Sequence, residues 1–141
     1  MLIGRYYHTL EAKGRLSLPK AFRTVDNHWI VTRGLDGGLF LFRKNKFQEE
    51  LTKLSERTFT KKDNRDFVRL MANEAHEVTI DKLGRVLLPE YLIEFAKLKK
   101  QVVMTGSYNY IEIWDQTLYH QYIEATEKQA EKMAERIKDE S

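Results

Sequence analysis

The sequence predicts an α+β protein, a compact pseudo-twofold β structure built from two copies of one unit with helices packed outside. Three observations carry that expectation. Residues 9–19 (TLEAKGRLSLP) lie over residues 79–89 (TIDKLGRVLLP) with Thr, Gly, Arg, Leu and Pro identical at a constant spacing of 70. Farther along, Ile30-Val31 fall on Val102-Val103, Gly34 on Gly106, and Leu39–Phe42 on Ile111–Trp114, now at a spacing of 72, so one small insertion separates the copies. The chain's two prolines, Pro19 and Pro89, are partners in this alignment, as are Gly14 and Gly84. Gly opens positive φ and Pro fixes φ while removing a donor, so the two copies ask for the same turns.

Each copy reads as strand, turn, strand, short helix, strand, turn, strand, helix. In the second copy, Val78–Ile80 is a short strand, Asp81–Gly84 a turn, and Arg85–Leu88 a strand ended by Pro89. Residues 90–97 suit a short helix with Pro89 at its start. Val102–Met104 and Ile111–Trp114 then flank a hairpin-like segment at 106–109, whose counterpart in the first copy is the Asp-Gly turn at 35–38.

Helices are expected at 43–55, with Phe47, Leu51 and Leu54 on one stripe, and at 61–75, with Phe67, Leu70, Met71 and Ala75 on another. Thr60, three residues before Asp63, resembles a capping box for the second of these. Residues 116–139 read as one long helix, whose stripe of Ile123, Thr126, Ala130, Met133 and Ile137 docks on its own β structure or on a neighbouring subunit. Aromatics in the apolar strands, such as Trp29, Phe40, Phe42 and Trp114, are assigned to the core. The expected organisation is 1–58 for the first repeat with its helix, 59–76 for a connecting helix, and 77–141 for the second repeat with the C-terminal helix. A lone unit of four short strands is marginal, whereas two fused copies can share one core.

Composition narrows the function. The 141 residues contain no Cys, which excludes a disulfide framework, a thiolate nucleophile and Cys-based zinc fingers. No apolar run approaches the roughly 18 residues needed to cross a bilayer, and the first ten residues reach charge within five positions, leaving no signal-peptide core. A soluble cytoplasmic protein with no membrane partner is expected. The net charge of +3 conceals a division: residues 1–70 hold 15 Lys and Arg against 8 Asp and Glu, and residues 71–141 hold 9 against 13. A basic first half hints at a nucleic-acid surface in which that copy dominates contact.

Catalysis finds little support. His8, His28, His76 and His120 are scattered, and phosphate-binding and nucleophile-elbow motifs are absent. Glu11 and Asp81 form a repeated carboxylate pair that invites comparison with a two-carboxylate active site, but a Gly three residues on in each case favours a side chain that caps its own turn. No catalytic residue, metal site or cofactor is expected. The repeated arginines are more informative. Arg15 and Arg85 each follow a Gly at the end of a turn and offer a planar fork of donors suited to phosphate or to guanine O6 and N7. Lys13, Lys20, Arg23 and Arg5 surround the first in sequence, and only Lys82 lies near the second. Each Arg could instead brace its turn by pairing with the carboxylate four residues earlier, and a braced Arg is also better oriented for a ligand.

At these residues the chain resembles the MraZ family of bacterial regulators, which carry two copies of a swapped-hairpin AbrB-type motif. GRYYHTLEAKGRLSLPKAFR, VTRGLDGGLFLF, DKLGRVLLP and IEIW match the family in order and spacing, over nearly the whole chain. The resemblance implies a pseudo-twofold β-barrel with flanking helices and a sequence-specific, nucleoid-associated transcriptional regulator. Such a regulator binds duplex DNA at short promoter repeats upstream of the division and cell-wall gene cluster, as a ring-shaped homo-oligomer. Carried over by position, the D-x-x-x-R motifs that face DNA are Glu11 to Arg15 and Asp81 to Arg85, giving Glu11, Lys13, Gly14, Arg15, Lys20, Asp81, Lys82, Gly84 and Arg85 as DNA-binding candidates. Glu11 departs from the usual Asp. An antitoxin-type protein-binding module is the alternative.

Overall fold

A computed structural model describes residues 1–57 and 59–140; positions 58 and 141, which end two of the expected segments, lie outside the described residues. The first unit comprises β1 (Leu2–Thr9), a single 3-10 turn (Ala12–Gly14), β2 (Arg15–Ser17), α1 (Lys20–Arg23), β3 (His28–Arg33), β4 (Leu39–Arg43) and α2 (Lys44–Glu56). After α3 (Lys62–Asn73) the second runs through β5 (His76–Thr79), β6 (Arg85–Leu87), α4 (Glu90–Phe95), β7 (Gln101–Tyr108), β8 (Ile111–Asp115), α5 (Gln116–Glu127) and α6 (Ala130–Glu140). The fold is α+β, with two sheet-and-helix repeats and flanking helices.

Six strands form one sheet in the order β1-β7-β8-β4-β3-β5, and β2 pairs with β6 in a separate two-stranded ribbon. Every pairing is antiparallel. The order reads the same when the two units are exchanged, because each unit lends its first strand to the hairpin of the other. All eight residues of β1 pair with β7, and β5 pairs with β3. Neither unit therefore holds a complete sheet of its own, which is the physical reason that the sequence carries two copies.

Apolar alternation fills the space between the sheet and the ribbon. Leu16 and Val86 face each other across the ribbon and are 0% and 1% exposed, in one cluster with Trp29, Leu41, Met104 and Ile113. Trp29, Phe42 and Trp114 are core residues, as expected. Phe40 is half-buried in a second cluster with Phe42 and Phe47, beneath α2.

Four details differ from expectation. The final helix is two helices: α5 docks through Tyr119 and Ile123 on Val103 and Trp114, after which the chain turns at Lys128-Gln129. There Gln129 N–H donates to Thr126 O (2.9 Å) and Met133 N–H to Gln129 O (2.8 Å), starting α6 afresh. Beyond Ile123 the stripe meets no core, and Ile137 is 68% exposed. Gly106 is a strand residue rather than part of a turn, since the backbone of β1 passes so closely that a Cβ would collide with Leu2 and Ile3. Thr60 does not cap α3, which has Lys61 at the N-cap position and no side-chain cap bond. Leu70 faces outward while Met71 is buried.

Asp115 supplies a cap that periodicity does not reveal. It is buried, and its carboxylate accepts from the N–H of Leu118 and of Lys99, both at 3.2 Å, tying the start of α5 to the approach of β7.

Leu16→Ala removes a side chain wholly covered by both units and is expected to lower stability by about 2–5 kcal/mol, read as a shift of the urea midpoint. A loss as small as that of a surface substitution would mean that the ribbon does not close over the core.

Candidate nucleic-acid interface

The two repeated turns form one structure. Glu11 N–H donates to Arg15 O and Asp81 N–H to Arg85 O, each at 2.8 Å, so both turns close with the same backbone hydrogen bond. Gly14 and Gly84 sit at φ 80° and 79°, the left-handed region that favours glycine. Each glycine carbonyl then accepts from the opposite unit, Gly14 O from Leu88 N–H (2.9 Å) and Gly84 O from Leu18 N–H (3.0 Å). These reciprocal bonds lock the turns on either side of the ribbon.

Register decides what the ribbon shows. Arg15 lies opposite Leu87, Leu16 opposite Val86, and Ser17 opposite Arg85. Side chains alternate along a strand, so with Leu16 and Val86 inward, the outward face consists of Arg15, Ser17, Arg85 and Leu87. Two guanidiniums separated by 70 residues in sequence thus share one side of a narrow antiparallel ribbon.

The two carboxylates behave differently. Asp81 caps its own turn as expected, its Oδ1 accepting from the N–H of Leu83 and of Arg85 (both 2.9 Å) and its Oδ2 from Arg85 Nε (3.0 Å). The Arg85 N–H bond is the main influence holding the Asp81 carboxyl below the usual range, and Asp81 in turn raises the guanidinium of Arg85. Glu11 neither caps its turn nor pairs with Arg15. Its longer side chain reaches across the units to Arg85 Nη1 (3.3 Å), and Lys13 in this turn adopts φ 65°. The bracing of Arg15 by Glu11, one of the two alternatives that spacing leaves open, is therefore absent, and Arg15 forms no ion pair or side-chain hydrogen bond with the described residues.

Lys13, Lys20 and Lys82 are exposed around these turns, and none forms an ion pair with the described residues. Arg23, which sequence places near Arg15, lies instead against the second turn, where a Cβ at Gly84 would collide with its Nη1. At the equivalent place in the other half, Ile93 abuts Gly14. The site therefore includes Arg23, which spacing alone does not single out; the signal is the crossing of units, through which α1 serves the turn of the other copy. Arg5 is engaged elsewhere, its guanidinium 5.0 Å from the centre of the Tyr119 ring.

Among the described residues no group of three or more His, Asp or Glu could hold a metal ion, and no helix is long and apolar enough to cross a membrane. The arrangement presents outward cations on a rigid ribbon and suits a planar or anionic partner.

Asp81→Ala is expected to lower the urea midpoint, because it removes three hydrogen bonds of the second turn, whereas Glu11→Ala leaves the midpoint close to the parent value. The Asp81 contribution is present above the ordinary Asp pKa and is lost as pH falls through the lowered value, so the two variants converge with the parent in strong acid. Equal losses at neutral pH would contradict the division of roles between the two carboxylates.

Comparison with known proteins agrees with this double construction. A family model described as "MraZ protein, putative antitoxin-like" matches residues 1–70 and again residues 71–140. A protein from Carboxydothermus hydrogenoformans named transcriptional regulator MraZ is 42% identical over 140 residues, covering 99% of this chain and 98% of that protein. Proteins of the same name from Pediococcus pentosaceus and Moorella thermoacetica are each 39% identical with the same coverage. With both halves matched by the family model and full-length relatives at this identity, the chain belongs to the MraZ family.

Proposed function

We propose that the protein is a sequence-specific, nucleoid-associated transcriptional regulator that binds duplex DNA at short promoter repeats through the outward face of the β2–β6 ribbon. The observation that carries this reading is the pairing of Arg15 and Arg85 on one side of a two-stranded ribbon whose other side is buried. A major groove admits such a ribbon, and an Arg fork matches guanine O6 and N7. Lys13, Lys20, Lys82 and Arg23 supply phosphate contacts that set position and salt dependence. Gly14 and Gly84 hold the backbone, and Glu11 and Asp81 orient Arg85. The family name borne by the relatives, transcriptional regulator, points the same way. The target repeats lie upstream of the division and cell-wall gene cluster that the family resemblance implies.

The unit exchange supports a pseudo-twofold barrel with the ribbon at its axis, formed from a first repeat at 1–58, a connecting helix at 59–76 and a second repeat at 77–141. One ribbon makes few contacts, so tight binding requires several subunits on successive repeats, each later contact being intramolecular. A head-to-tail ring supplies them. Two uncovered apolar surfaces of opposite charge suit that interface: the α6 stripe of Ala130, Met133 and Ile137, and a cleft of about 300 Å³ lined by Phe40, Phe42, Leu51, Phe67 and Tyr110 beside α2 and α3. Residues 44–73 hold eight Lys and Arg against five Asp and Glu, while residues 116–140 hold four against six. The same stripe would serve a foreign protein partner in the antitoxin-type reading, which gains support only if a stoichiometric second protein co-purifies and DNA is not retained.

Arg15→Ala is expected to abolish specific retention of the fragment upstream of the protein's own gene while solution mass and circular dichroism stay unchanged; a wild-type shift in that assay removes Arg15 from the interface. Lys13→Ala and Lys20→Ala are expected to weaken binding to all sequences and to lower the salt slope by about one each, and an unchanged slope returns those lysines to solvated surface. A chain ended at Gln129 is expected to sediment as smaller species, and retention of the full assembly mass would remove α6 from the subunit contact.

A further inference from the structure

The outward face of the ribbon is not symmetric. Arg15 and Arg85 correspond in the repeat, but the other two outward positions are Ser17 and Leu87. Leu87 is 52% exposed, and Leu83, at the tip of the same unit's turn, is 69% exposed where the first unit has Lys13. A solitary exposed leucine is unremarkable on a protein surface. Leu87, however, stands directly across from Arg15, and its neighbour two residues back on the same face is Arg85. Side chains so paired on one ribbon have Cβ atoms about 5 Å apart. An apolar side chain thus stands beside both arginine positions, on the face whose charge suits a polyanion.

We propose that Leu87 is a base-reading residue that contacts the C5-methyl group of a thymine next to a guanine addressed by Arg15. This inference rests on the DNA-binding reading above. Among the edges displayed in the major groove, the thymine methyl is the apolar one, and all the rest are donors or acceptors. The strand spacing brings Leu87 to a base neighbouring the one that Arg15 reaches. Ser17, the counterpart in the first unit, is short and polar and offers that methyl no comparable contact.

The asymmetry gives the ribbon a direction. A face of two equivalent arginines and two equivalent neighbours would lie equally well either way along the groove. With Leu87 at one end and Ser17 at the other, the two orientations differ in energy, and each subunit of an assembly takes the direction that the repeat beneath it sets.

The test uses the full-length chain and a duplex from upstream of its own gene, synthesised with thymidine or with deoxyuridine, which lacks only the methyl group. Affinities for wild type and Leu87→Ser are measured by fluorescence anisotropy at one salt concentration. Wild type is expected to bind the deoxyuridine duplex more weakly by about three- to fivefold for each repeat occupied, the worth of one buried methyl contact per subunit, and Leu87→Ser is expected to bind both duplexes alike. The same thymidine preference in both proteins, or none in wild type, overturns the assignment. A changed solution mass for Leu87→Ser with its thymidine preference intact makes Leu87 a subunit contact and likewise overturns it. If wild type does not distinguish the promoter duplex from a random one, the DNA-reading proposal itself has failed, and this inference falls with it.

Discussion

The reciprocal bonds from Leu18 N–H to Gly84 O and from Leu88 N–H to Gly14 O fix how the two units cross, and the ribbon face follows from that crossing. Each bond requires a turn glycine in the left-handed region, and at Gly14 a Cβ would lie 2.8 Å from the Leu88 carbonyl. A side chain at that position would therefore add contact with the other unit to the backbone strain. Once the turns are locked, Leu16 and Val86 must face inward, and Arg15 and Arg85 are carried outward by alternation. The glycines and prolines of the motif shape the backbone, while the arginines are left to meet a partner.

The exchange of Asp for Glu in one turn gives these two arginines different properties. Asp81 is short enough to accept from two backbone N–H groups and still grip Arg85 Nε, so Arg85 is oriented before any ligand arrives. Glu11 extends past its own turn and adds a second acceptor to Arg85. Arg15 therefore has no carboxylate partner among the described residues, and it must give up rotamer freedom on binding, at a cost of up to about 2 kcal/mol. Arg85 has less freedom to lose, and its charge is partly balanced by Glu11 and Asp81. One subunit thus presents a pre-set fork and an adaptable one.

Much of this was legible in the sequence, because Gly and Pro leave fixed marks on a repeat. The strands, the short helices after Pro19 and Pro89, and the apolar stripes around Phe47 and Met71 follow from local pattern. The partner of each strand does not, because pairing across 106 residues, as in Leu2 with Tyr108, leaves no local trace. For that reason proximity in sequence groups Arg23 with Arg15, although the crossing sets it against Gly84. The final helix illustrates the opposite failure. Its heptad-like pattern continues past Ile123, but the surface that it packs against ends there, and the helix is interrupted at Lys128-Gln129, five residues farther on.

The charge division also changes meaning once the units are interlocked. A basic first half of fifteen cations against eight anions suggested that one copy would dominate contact with DNA. Both turns flank one ribbon, so Arg15 from the first half shares its outer face with Arg85 from the second, and Arg23 from the first half lies against the turn that carries Lys82. The carboxylates of this group, Glu11 and Asp81, both engage Arg85. Six of the other nineteen acidic residues lie in α5 and α6, and α5 packs on β7 and β8 rather than on the ribbon. Counterion release depends on the cations at the contact rather than on net charge. A molecule of net charge +3 can therefore present a strongly cationic face, and in the proposed assembly each subunit would add its cations to the contact with DNA.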